Sequence, residues 1–200
     1  VCETQPELLA HHYTEAGLNA QAISYWQRAG QRAVECSSNL EAIEHLTRGL
    51  DLLTTLPESS EHAQRELDMQ VALGPALMAV KGQGAPDVAH AYARARELCQ
   101  QVGDTPQLFA VLRGLVPYYL TRGQVKESHQ LAAQLPRLAE AQPDPAPRML
   151  AHFMLGQVVF YRGEPAMAQT HHAQALALST SQEVQALAHR YGLDLGVGAH

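Results

Sequence analysis

Isoleucine occurs only at Ile23 and Ile43, aromatic residues make up 6% of the 200 positions, and no cluster of lysine or arginine breaks the surface composition. The charge balance is 14 basic against 20 acidic residues, a formal net of −6. Such a chain offers no basic field for phosphates, so the reading predicts no nucleic-acid partner. Long apolar runs are also missing: no stretch approaches the roughly 20 residues that span a bilayer, and VCETQPELL lacks a basic-then-apolar leader. The expectation is no membrane association and a cytoplasmic location. Cysteine is scarce and odd in number, with Cys2, Cys36 and Cys99 at unpaired spacings. That pattern suits reduced thiols better than a disulfide framework. The opening at Val1, not methionine, and the stop at Gly198-Ala199-His200 read as the limits of a fragment.

What the chain does have is alanine, leucine and helix punctuation. With 46% hydrophobic and 17% charged residues it can bury a core, and its apolar set prefers helices to pleated strands. The fold class is therefore all-α. Thr4-x-x-Glu7, Ser38-x-x-Glu41 and Thr180-x-x-Glu183 have the form of capping boxes, in which a hydroxyl accepts from an orphan amide. Further helix starts are predicted at Ser60, at Asp104-Thr105-Pro106 and at Asp144-Pro145. Stops are predicted at Gly17, Gly103, Gly123, Gly163 and Gly192, because glycine tolerates the left-handed conformation that closes a helix. Leu40, Ile43, Leu46, Leu50 and Leu53 recur at helical spacing and predict one buried stripe. Pro117 and Pro136 fall inside helical patterns and mark kinks or shortened helices.

Roughly ten helices result, and the pattern repeats. At an offset of about 40 residues Arg122-Gly123 falls on Arg162-Gly163, Val116 on Gly156, Tyr119 on Val159 and Ser128 on Ala168. Repetition of this length predicts stacked helical hairpins, an α-solenoid, in preference to a bundle.

Chemistry is sparse. Lys81-Gly82-Gln83-Gly84-Ala85-Pro86 has glycines but puts its lysine first and lacks the following Ser/Thr, so it reads as a helix stop and restart and not a phosphate loop. Among eleven histidines, His11-His12 and His171-His172 are adjacent, and neighbours on a helix point about 100° apart, which suits one metal ion poorly. No HExxH or GxSxG occurs, Cys36 and Cys99 read as core thiols, and Glu41 and Glu44 as solvated carboxylates. No catalytic residue, cofactor or metal site is predicted for this stretch.

The segment LLAHHYTEAGLNAQAISYWQRA carries Ala10, Tyr13, Gly17, Ala22, Trp26 and Ala29 in the pattern of the tetratricopeptide family, which it resembles. LGQVVFYRGEPAMAQTHHAQAL fits with Gly156, Gly163, Ala168 and Ala175, with His172 where a bulky apolar residue is usual. More broadly, QPELLAHHYTEAG, YWQRAGQRAVECSSNLEAIEHLTRGLDLL, GPALMAVKGQGAPDVAHAYARARELC and YGLDLGV resemble the helical region behind the AAA-type ATPase module of bacterial multidomain signalling proteins, whose effector is a class III adenylate/guanylate cyclase or a kinase. The chain departs from a regular array in its long offset and in Ala29-Gly30-Gln31, which reads as one helix running into the next.

The resemblance implies a right-handed solenoid of tetratricopeptide-like hairpins: residues 1–57 would be the first helices after an absent ATPase module, and 58–200 the continuation, truncated at its end. It implies a non-catalytic scaffold for protein partners or for neighbouring domains of the same chain. The alternative is a small-ligand sensor region of an ATPase-coupled transcriptional regulator. By repeat position the concave face would carry His11, Arg113, Gln157 and Tyr161. Exposed terminal faces, including Val184, Leu187 and Tyr191, would favour self-association.

Overall fold

A computed structural model describes residues 5–103 and 106–178 of the chain. Within them the secondary structure is helical: α1 Pro6–Glu15, α2 Asn19–Glu35, α3 Asn39–Leu53, α4 Ser60–Lys81, α5 Pro86–Val102, α6 Gln107–Thr121, α7 Val125–Ala132, α8 Leu135–Glu140, α9 Ala146–Tyr161 and α10 Pro165–Leu178. The all-α expectation holds for the described residues. The chain divides into two compact units, 1–114 and 115–200, with the division inside α6. The expected signals at Thr4, Asp104-Thr105, Thr180-x-x-Glu183 and Gly192, the thiol of Cys2, and the Val184, Leu187 and Tyr191 face lie outside the described residues.

Four connections between helices are built alike. Gly17, Ser37, Gly123 and Gly163 are left-handed, with φ of 70°, 58°, 73° and 82°. In each, the next residue donates its N–H to the carbonyl five positions back: Leu18 to Tyr13 at 2.9 Å, Ser38 to Ala33 at 2.8 Å, Gln124 to Tyr119 at 2.9 Å and Glu164 to Val159 at 3.1 Å. This closure satisfies carbonyls that the helix end would otherwise leave bare. A new helix begins two residues after each left-handed residue, at Asn19, Asn39, Val125 and Pro165.

The flanking helices meet in a constant register through residues that are small at every position but Val116. Seven positions before each left-handed residue stand Ala10, Gly30, Val116 and Gly156, and five after it Ala22, Ala42, Ser128 and Ala168; all eight are buried. Small side chains here let two helices approach closely across a short turn. The offset of 40 read between the 116–128 and 156–168 segments is this register. Ser128, the one polar member, donates its hydroxyl to the Val116 carbonyl at 2.9 Å, which answers the need of a buried hydroxyl for a partner.

In the first unit α1, α2, α3, α4 and α5 pack each on the next. Trp26 is the large filler between α1, α2 and α3: it is buried against Ala10 and Ala22 with Tyr13, Tyr25 and Leu52 around them. Its indole N–H donates to Thr14 Oγ1 at 3.1 Å, and that hydroxyl donates to the Ala10 carbonyl at 2.8 Å. Ala33, Ala42 and Ala76 form the next cluster, carrying the core to α4. Farther along, Tyr92 of α5 is fully buried, its ring lying in the space left by Gly74 and Gly114, where a Cβ would strike it. Glu66 of α4 and Arg94 of α5 form a two-pronged ion pair at 2.6 and 2.8 Å. In the second unit α7, α8 and α10 pack on α9.

Several local expectations change. Ser38 does precede a helix, yet its side chain makes no capping bond: its backbone is held at ψ 67° by the closure to Ala33, away from the extended geometry a capping hydroxyl needs. α4 opens at Ser60 as expected, capped by Ser59, whose Oγ accepts from the His62 N–H at 3.1 Å. Asp144 behaves as expected, accepting from the Ala146 N–H at 2.9 Å. Leu40 leaves the predicted stripe and is 72% exposed, because it lies in the first turn of α3 where Ala42, Leu46, Gly49 and Leu53 define the inner face. Ala29-Gly30-Gln31 does not join two helices; it is the interior of α2, and Gly30 is there to admit Leu46. Pro117 lies within α6, Pro136 starts the short α8, and a further interior proline, Pro75, sits in α4.

Candidate functional site

His11 is exposed on α1 and Arg113 is half-buried on α6, both in the first unit. Gln157 and Tyr161 are exposed one turn apart on α9, in the second. Of these four, Tyr161 lines a cavity of about 540 Å³, whose other walls are Val125, Lys126, His129, Gln130 and Arg162. The turn at Gly163 ends α9 just beyond Tyr161, and the turn at Gly123 begins α7 at Val125, so the repeated connection positions both walls.

The cavity has a mixed chemical character. Tyr161 is 65% exposed and, with Phe160 set edge-on at 5.9 Å, offers an open aromatic face. Lys126 and Arg162 supply positive charge, with Arg162 also reaching Glu164 at 2.9 Å. Burial holds the His129 imidazole below its ordinary pKa, the Arg162 guanidinium pushes it further down, and Glu164 opposes both. His129 is accordingly neutral near pH 7 and can both donate and accept a hydrogen bond. Only Tyr161 among these walls was marked by the sequence; the Arg122-Gly123 and Arg162-Gly163 correspondence located the turns but carried no signal that Lys126, His129 and Gln130 meet them.

A second cavity, of about 440 Å³, lies in the first unit and is lined by Glu7, Ala29, Arg32, Ala33, Cys36, Ser38, Glu41 and His45. Cys36 is exposed there as the residue that closes α2, which corrects its placement as a core thiol. A helix end cannot enclose its last side chain as an interior turn can. Cys99 is buried as expected, and burial pushes its thiol up, away from reactivity. Glu41 and Glu44 are exposed, and Glu44 pairs with Arg48 at 2.8 Å. The glycine-rich stretch after α4 is a stop and a restart: Gly82 is left-handed at φ 85°, Pro86 opens α5, and Lys81 spans the turn to Asp87 at 2.9 Å. The Lys81 ammonium thereby holds the Asp87 carboxyl below the usual carboxylate range. Among the described residues no group of three or more His, Cys, Asp or Glu side chains is gathered as a metal site, and no helix is long and apolar enough to cross a membrane.

Comparison of the chain with family models, curated proteins and solved structures finds no match.

Proposed function

We propose that this chain is a non-catalytic, tetratricopeptide-like scaffold that binds protein, either a separate partner or neighbouring domains of its own polypeptide. The observation that supports this is the turn register: four helix connections repeat one closure and one pair of small buried contacts. Repeated hairpins expose successive helix faces, and function in such proteins resides in those faces. Gln157 and Tyr161 form the face with the best chemistry for a partner, since an exposed tyrosine brings contact area with few rotatable bonds. The proposal extends to parentage: an upstream AAA-type ATPase module with a class III adenylate/guanylate cyclase, which the array restrains or couples. A partner that regulates must bind the active arrangement more tightly than the resting one, about 1.4 kcal/mol for each tenfold shift. Deleting residues 1–200 from the full-length protein tests this. A change in nucleotide turnover or effector output is expected, and identical rates would reduce the region to a spacer.

The cavity beside Tyr161 favours a second reading, a small-ligand sensor. Its volume of about 540 Å³ falls in the range of small-molecule sites. A ligand would raise the melting temperature by mass action, and replacing Lys126 or Tyr161 by alanine would remove that rise.

A further inference from the structure

The α9–α10 hairpin contains a histidine pair that the cavity and the interaction face do not use. His152 of α9 and His171 of α10 place their Nδ1 atoms 3.3 Å apart. The ring centroids are 5.5 Å apart and the planes differ by 22°. The centroid separation exceeds the nitrogen gap by almost the sum of the two ring radii, so the imidazoles meet end to end in the plane of their lone pairs. That is the geometry of an N–H···N hydrogen bond, with one ring donating from Nδ1 and the other accepting at Nδ1.

We propose that His152 and His171 form a proton-limited latch that docks α10 on α9 near neutral pH and releases it in mildly acidic medium. The proton count gives the mechanism. In the neutral pair one Nδ1–H faces one lone pair. A first added proton goes to Nε2 of the donor ring and leaves the bond intact. A second must take the acceptor's Nδ1 lone pair; the bond is then lost and two imidazolium N–H groups confront each other across the same gap. Like charges at that distance disfavour the doubly protonated state strongly.

The pair lies within the inner face of α10, which packs along α9. Of its residues Ala168 and Ala175 are buried, while His171 and His172 are half-buried at the centre of its inner face. His172 stands where a bulky apolar side chain would be usual, filling the space left by Gly156 and lying 5.8 Å from the Phe153 ring. The charged groups that act on His152 come from two of the helices packed on α9: α8 brings Glu140, which favours its imidazolium, and α10 brings His171, which opposes it, whereas His129 of α7 stands beside Arg162 and Glu164 instead. For His152, burial is the largest influence and acts with His171 to lower its pKa below the ordinary histidine value. A histidine depressed in the folded state contributes stability that is present above its unfolded pKa and lost as pH falls through the folded one. The docked hairpin is therefore the form in which the pair has taken up at most one proton.

Hydrogen exchange of the whole chain, corrected for the intrinsic rate, tests this at pH values of about 7.5 and about 5. In the wild type the α10 amides should lose about tenfold of their protection at the lower pH, with α4 and α5 unchanged. In His152→Gln and His171→Gln, whose amides keep a polar end but take no proton, the loss should fall below about twofold. Unchanged wild-type protection, or the full acid loss in both variants, would overturn the latch. Should either variant fold poorly, titration of the wild-type imidazoles by nuclear magnetic resonance decides. A His152 titration below the ordinary histidine range is expected, and an ordinary His152 titration would refute the pair.

Discussion

At the scale of single residues, Ser37 carries a conformational mismatch and Tyr92 a shielded phenol. Ser37 closes α2 at φ 58°, where the equivalent turns use Gly17, Gly123 and Gly163. A side chain in the left-handed region costs about 1–2 kcal/mol, of which glycine's looser unfolded chain gives back part. Ser37→Gly should therefore raise the unfolding free energy by about 0.5–1 kcal/mol, read as a higher denaturant midpoint at constant slope. Tyr92 is the other case. Among the described residues its hydroxyl meets the Met78 sulfur at 3.8 Å, and desolvation lifts the phenol to about 12 against an opposing pull from Arg113. A phenol whose folded pKa is raised contributes fully below its unfolded pKa near 10 and loses that contribution as pH rises through the folded value. About 3 kcal/mol should disappear between those limits. Denaturant melts of wild type and Tyr92→Phe across that window should diverge by that amount, and parallel curves would mean the phenol is not shielded.

At the scale of elements, what the sequence made legible were the breaks. Gly17, Gly82, Gly103, Gly123 and Gly163 all take the positive φ that a helix stop needs, and Asp144, just before the Pro145 cap, accepts from the first amide of α9. Such signals are local, which is why they read correctly. The inner faces were less legible, because which face turns inward depends on neighbours distant in sequence. Leu40 matched the helical period and is nevertheless exposed, while Ala42 and Gly49, silent to a hydrophobic count, are buried. Pro75 inside α4 gave no break at all: a proline deletes one backbone donor, and the packing of α3 and α5 on α4 outweighs that loss. Close approach through small residues is the governing feature of these hairpins. Ala42→Leu and Ala168→Leu should each lower stability by about 1–3 kcal/mol through overpacking, whereas Ala173→Leu, exposed on α10, should change it by less than about 0.5 kcal/mol. Equal effects at all three positions would contradict the register.

At the scale of the whole molecule, helix is the secondary structure of the described residues, and circular dichroism should show strong helical minima with no sheet component. In the second unit Phe160 and Met167 are exposed by 59% and 50% and provide apolar surface for association. Light scattering during size-exclusion chromatography should give a mass that rises with concentration, and Phe160→Ser should lower it toward a single chain. The candidate site was legible only through Tyr161. Its companions Lys126, His129 and Arg162 reach it by the superposition of two turns, a relation carried by the repeat and not by any motif. The proposed function requires that the repeated hairpins present a protein-binding face. Its most direct test is a photo-crosslinking amino acid placed in the full-length protein at His11, Gln157 or Tyr161, with exposed Thr47 and Glu127 as reference positions. Discrete protein adducts at the first group and not at the references are the predicted result; no adducts there, or the same adducts at every position, would contradict the claim.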